Sequence, residues 1–135
     1  MRFKNYKYQL LVLGTIFLMG CAQVNPLQGG AKDVYSPRID SSGTYPLSGQ
    51  TSFKGSVITI KFHEYIALNS PNDNIIITPQ LENRPDISVK NKKLTILFNE
   101  ELAENTTYTI SFNHAITDIT EKNDSIFQYV FSTGD

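Results

Sequence analysis

The chain has 135 residues, 40% hydrophobic and 19% charged, a globular composition that suffices for one ordinary domain and excludes a disordered chain. Net charge is −1; without Arg2, Lys4 and Lys7, nine cations face 13 carboxylates, so the part after residue 20 stands at −4. That mildly acidic body gives no electrostatic reason to expect a nucleic-acid partner, and a single cysteine, Cys21, excludes an internal disulfide.

The first element is a short basic stretch, MRFKNYKYQ, followed by the eleven-residue apolar run Leu10 to Gly20. A membrane-spanning helix needs about 20 apolar residues, so this run is too short to span. A basic start, a short apolar middle and a small residue before a cut form the pattern of a secretory signal peptide. A buried core helix is the competing reading, but all the cations lie on one side and a polar segment follows at once. The run ends in LMGC, Leu18 to Cys21. These four residues resemble the bacterial lipobox: an aliphatic residue, a tolerant position, a small residue, then cysteine. The resemblance implies cleavage between Gly20 and Cys21, a diacylglyceryl group on the Cys21 thiol and an acyl chain such as palmitate on the new amino group. Each buried methylene contributes roughly 0.8 kcal/mol, and two or more chains hold firmly. Residues 1–20 are thus expected to be a cleaved lipoprotein signal peptide, and Cys21 the membrane anchor.

Residues 21–36 contain Pro26, Gly29 and Gly30, lack hydrophobic periodicity and are expected to be a flexible tether. Such an arm has a root-mean-square reach of roughly 20 Å and extends to about 55 Å. Its spacing, C-x4-P-x2-GG-x-KD-x3-P, is similar to the mature start of Bacteroidota envelope lipoproteins with an Ig-like domain after the arm.

From residue 37 to 135 the sequence alternates with a period of two and shows no helical stripe. PRIDSS, 37–42, is a candidate edge strand, where a proline is tolerated. In SVITIKF, Ile58, Ile60 and Phe62 share a face; NIIIT, 74–78, is a continuous apolar run suited to a central strand. Ile87 with Val89, Leu94 with Ile96 and Phe98, Tyr108 with Ile110 and Phe112, and Phe127 with Tyr129 and Phe131 form further one-sided strands. NSPNDN is a loop, and KNKK a tight hairpin in which Asn91 can take positive φ. About seven strands, each with one apolar face, predict an all-β sandwich.

LAENTTY resembles the L-x-P-G-T-x-Y corner of fibronectin type III and related sandwiches, with Glu104 at the usual proline and Asn105 at the usual glycine. The resemblance implies that Leu102 packs beneath the corner, that Asn105 takes the left-handed conformation and that the Tyr108 hydroxyl bonds back to the preceding backbone. ITIKFHEYIAL, NTTYTISF and YVFSTG are similar to strands of the SbsA-type bacterial Ig-like domain. This similarity implies an immunoglobulin-like β-sandwich over residues 37–135.

Chemistry is sparse. HEYIA begins like a zinc-binding HExxH helix but carries Ala67 at the second histidine, and in a strand His63 and Glu64 face opposite ways. His114 follows a strand as a loop residue. No metal site or cofactor is expected; the acidic stretches SPNDN and DITEKND offer oxygen atoms but not the spacing of a calcium loop. No nucleophile elbow or phosphate loop is present. Asp124–Ile126 matches a short O-glycosylation acceptor pattern at Ser125, but three residues occur often by chance and a turn leading into the last strand is the favoured reading. The expectation is a non-catalytic envelope lipoprotein, held by Cys21 on a membrane, with the outer membrane favoured by the absence of acidic residues after the cysteine. Its domain would be a spacer or a binding module for a protein or glycan. The alternative is an accessory module at the N-terminus of a longer secreted enzyme or glycan-handling protein.

Overall fold

The computed structural model describes residues 29–135. The signal peptide, Gly20, Cys21 and the first part of the tether lie outside the described residues. A compact unit runs from Lys32 to Asp135.

Eight strands form two sheets. The first sheet has the order β1 (Ile39–Tyr45), β2 (Val57–Phe62), β6 (Lys93–Leu97), β5 (Asp86–Lys90), antiparallel throughout. The second is centred on β7 (Thr107–Asp118), paired along one side with β8 (Asp124–Ser132). Its other side takes β4 (Ile75–Thr78) near its start and β3 (Ile66–Leu68) near its end. A one-turn helix, α1 (Pro71–Asn74), joins β3 to β4, so the stretch expected to be a plain loop contains a single helical turn. The alternating apolar positions decide which faces meet. Ile58, Ile60 and Phe62 of β2, and Leu94 and Ile96 of β6, are buried against Tyr108, Ile110 and Phe112 of β7 and Tyr129 and Phe131 of β8.

Aromatic rings link the sheets: Phe62 of β2 lies 6.3 Å from Phe127 of β8, and Phe98, just past β6, lies 6.0 Å from Phe131. Within the second sheet Phe131 stacks on Tyr108 at 5.4 Å and Phe127 on Phe112 at 4.5 Å, and Phe53 meets Phe131 edge-on at 5.2 Å. Each such ring, withdrawn from water, stabilises the fold by about 1.5–3 kcal/mol. Tyr129 is buried and donates its hydroxyl hydrogen to the Pro46 carbonyl; burial pushes its pKa up to about 12.

The sandwich departs from the expected strands in four places. The stretch ITIKFHEYIAL does not run as one strand: it bends at His63–Tyr65, so Phe62 belongs to the first sheet and Ile66 to the second. The apolar run at 74–78 forms an edge strand, because β4 pairs only with β7, and Ile76 is half exposed. β7 extends to Asp118 through a bulge between Phe112 and Ile116, which places His114, at φ 58°, within the strand and not in a loop after it. Lastly, the segment after β1 crosses to the second sheet. Gln50 bridges Phe131 in parallel fashion, Phe53 N–H donates to the Ser132 carbonyl at 2.9 Å, and the Phe53 ring is buried. The first edge strand is thereby split between the two sheets, and the crossing segment covers the free edge of β8. The switch follows an irregularity in β1, where the buried Thr44 hydroxyl donates to the Asp40 carbonyl and accepts from Lys61 N–H, replacing lost ladder bonds.

Candidate functional site

Two ends of the sandwich hold the polar side chains with defined partners. At the end where the chain enters, the arm is seated from Asp33 onward. The Asn123 side chain donates to the Asp33 carbonyl at 2.9 Å, Ser125 Oγ donates to the Pro37 carbonyl at 2.7 Å, and His63 N–H donates to the Arg38 carbonyl at 3.0 Å. Pro37 is buried, so the arm packs as well as bonds. The residues expected to belong to a flexible tether therefore include a stretch, from Asp33, tied to β8 and the loop before it.

That loop, residues 119–123, is organised by one carboxylate. Asp118, 3% exposed, accepts the backbone N–H groups of Thr120, Glu121, Lys122 and Asn123 at 2.7–3.0 Å. Burial would raise its pKa, but the four donors outweigh burial and hold the carboxyl below its usual range. Glu64 lies nearby. Its pKa is raised, first by burial and then by the negative charge of Asp118. The hairpin between β5 and β6 closes the same end: Asn91 has φ 59°, its carbonyl accepts from Ile66 N–H, and Lys92 Nζ donates to the His63 carbonyl at 2.8 Å.

Ser125 is 5% exposed and its hydroxyl is spent on the Pro37 carbonyl. A glycan on that oxygen does not fit the folded domain, since the site is closed and the arm's bond would be lost. His63 is exposed in the bend; His114 is exposed and pairs with the Asp124 carboxylate, which lowers the Asp124 pKa. His63 and His114 are not gathered with other ligands: among the described residues no group of three or more His, Cys, Asp or Glu is placed to hold a metal ion.

At the opposite end stands the corner. Ala103 N–H donates to the Tyr108 hydroxyl at 2.9 Å, Asn105 has φ 48°, and Leu102 packs against the core. Thr133, past the last strand, locks it: its hydroxyl accepts from Thr106 N–H at 2.9 Å and donates to the Ala103 carbonyl at 2.6 Å. Gly134 passes so close that a Cβ there would meet Asn105 Cα at 2.8 Å, which explains glycine at this point of YVFSTG. Beside the corner is an open cleft of about 570 Å³, with Phe53 and Phe98 at its base and Glu101, Glu104 and Lys54 among its walls. Its Glu100 carboxylate is engaged by Glu82 and Asn83 N–H groups at 3.2 and 2.5 Å. Beside Lys54, Ser56 and Thr133 also line the cleft, and the Thr133 hydroxyl is spent on Thr106 N–H and the Ala103 carbonyl. The seat of the arm was not singled out from the sequence, and the Asp118 loop was considered only as a source of oxygen ligands. The one available signal was DITEKN, where an aspartate opens a polar loop before a strand.

Residues 33–133 match the bacterial Ig-like domain family. Comparison with curated proteins gave no match. Among solved structures, an L,D-transpeptidase from Mycobacterium smegmatis is similar, at 12% identity and a TM-score of 0.47, over 73% of this chain and 40% of that one. The N-terminal part of the bacterial S-layer protein SbsC is similar at 15% identity and a TM-score of 0.48, over 72% of this chain and 23% of that one. The chain thus spans less than half the length of either structure it resembles.

Proposed function

The chain belongs to the bacterial Ig-like domain family, and from that premise we propose that it is a lipid-anchored envelope protein whose sandwich is a non-catalytic spacer or binding module. The observation that carries this reading is the seat of the arm. Among the described residues, the first tie of the arm to the sandwich is made at Asp33, twelve residues after Cys21. A domain joined in this way to a lipidated Cys21 would be held within about 40 Å of the lipid surface. The lipobox resemblance of Leu18–Cys21 supplies the anchor, and the outer membrane is the surface it favours. The non-catalytic part of the reading draws on the site chemistry: among the described residues the two exposed histidines lie apart from any cluster of metal ligands, the buried Asp118 is spent on backbone N–H groups, and the Glu100 carboxylate of the cleft is engaged by backbone N–H groups.

Detergent-phase partition of the full chain tests the proposal. The natural sequence is expected in the detergent phase, and Cys21→Ala in the aqueous phase with its leader uncut. Unchanged partition of Cys21→Ala would overturn the anchor.

A further inference from the structure

The end of the sandwich at which the arm is seated is marked in two respects. It gathers four exposed apolar side chains, Val34 at 71%, Tyr35 at 74%, and Tyr65 and Ile119 at 50% each, while others, among them Tyr45, Ile76 and Ile126, are exposed elsewhere on the surface. All four lie on the segments that close this end, namely the arm, the bend between β2 and β3, and the Asp118 loop. The second respect is charge. Of the nine cations after residue 20, six lie here: Lys32, Arg38, Lys90, Lys92, Lys93 and Lys122. The carboxylates at this end are Asp33, Glu64, Asp118, Glu121 and Asp124, of which Asp118 is buried among backbone N–H groups and Asp124 is paired with His114. The far end carries Glu82, Asp86, Glu100, Glu101, Glu104 and Asp135 against Lys54 and Arg84. The domain is therefore polarised along its long axis, rich in cations and exposed rings where the arm enters, with carboxylates that nearly balance them, and acidic at the other end.

Tyrosines beside lysines are the side chains that suit the boundary between headgroups and acyl chains, with an apolar ring and a polar tip. Lys92 Nζ stands 5.2 Å from the centre of the Tyr65 ring, so one such pair is already assembled. We propose that this end lies directly on the lipid surface, with Val34, Tyr35, Tyr65 and Ile119 entering the headgroup layer and the six cations meeting its phosphates. The proposal rests on the lipid anchor at Cys21. The chain itself argues for this occupant: only ten residues separate Cys21 from Lys32. Such a link has a root-mean-square span of roughly 18 Å and keeps this end, rather than the acidic one, next to the bilayer. The acidic end then points away, because β7 alone, at 12 residues, separates the two ends by about 35–40 Å.

The chain has no tryptophan, so one introduced residue reports its own surroundings. Full-length lipidated Tyr35→Trp and Glu104→Trp variants, in vesicles of phosphatidylcholine and phosphatidylglycerol with brominated acyl chains, compare the two ends. The proposal expects blue-shifted, bromine-quenched emission from position 35 that weakens in high salt, and water-like, unquenched emission from position 104. Vesicle flotation is read on the same samples. Flotation without quenching at position 35 overturns the docked face and leaves the anchor standing. Quenching at position 104 overturns the orientation. Failure to float overturns the anchor and the face together.

Discussion

Where the arm enters, one buried carboxylate takes four backbone N–H groups and the arm is held by three hydrogen bonds; at the opposite end, one tyrosine hydroxyl takes a single N–H from a corner that Thr133 and Gly134 close from the last strand. The first end spends its polar groups on fixing a segment that has no strand of its own. The second fixes a turn between two strands that the core already holds. The difference separates two uses of hydrogen bonds: at the seat they join one buried proline, Pro37, in holding a segment outside the sheets, while at the corner they trim a structure that packing has built.

The largest effect expected from breaking this comparison is at the seat. Asp118→Ala would leave four N–H groups without their charged acceptor and should lower unfolding free energy by about 2–3 kcal/mol. Residues 33–37 should become protease-sensitive at the same time. Urea titration and limited proteolysis read both; loss of stability with an intact arm would show that the loop does not hold the seat. Tyr108→Phe removes one hydrogen bond at the corner and keeps the ring in its stack on Phe131, so the expected loss is about 1 kcal/mol with no change at the arm. A loss as large as that of Asp118→Ala would make the two ends equivalent.

Acid sharpens the contrast. Asp40, held low chiefly by its hydrogen bond to Lys61, together with Asp118 and Asp124, has a pKa below the ordinary 3.8. Their stabilising contributions are complete above that value and are lost as pH falls through the lowered ones. Glu64 is shifted the other way, from 4.5 upward, so its contribution is favourable when protonated and is lost as pH rises through the raised value. Unfolding free energy should therefore drop below about pH 4, and Glu64→Gln should be more stable than the natural chain at neutral pH, with the gain vanishing in acid. The same gain at both pH values would mean that the Glu64 charge is not its source.

Much of the sandwich was legible in the alternation. Ile58, Ile60 and Phe62, then Leu94, Ile96 and Phe98, then Tyr108, Ile110 and Phe112 were grouped by spacing alone, and all nine are buried. Alternation reports which way a side chain faces; it does not report which strand lies beside it. The crossing of residues 49–53 to β8 was illegible for that reason: it joins Gln50 to Phe131, about eighty positions apart, through a parallel bridge. The break after Phe62 was hidden because Glu64 and Ile66 keep the rhythm of Phe62 while the backbone changes sheets. At the candidate site, LAENTTY was legible because a turn, a left-handed residue and a tyrosine occur in order within seven positions. The seat of the arm was not, because its acceptors are the carbonyls of Asp33, Pro37 and Arg38, and main-chain oxygens leave no mark in a sequence.

The account rests most heavily on Cys21, and the mass of the mature protein purified from membranes tests it directly. The predicted result is a chain beginning at Cys21, without residues 1–20, whose N-terminal peptide carries a diacylglyceryl thioether and releases fatty acids on alkaline hydrolysis. A mature chain that begins elsewhere, or one whose Cys21 thiol is free, would contradict it.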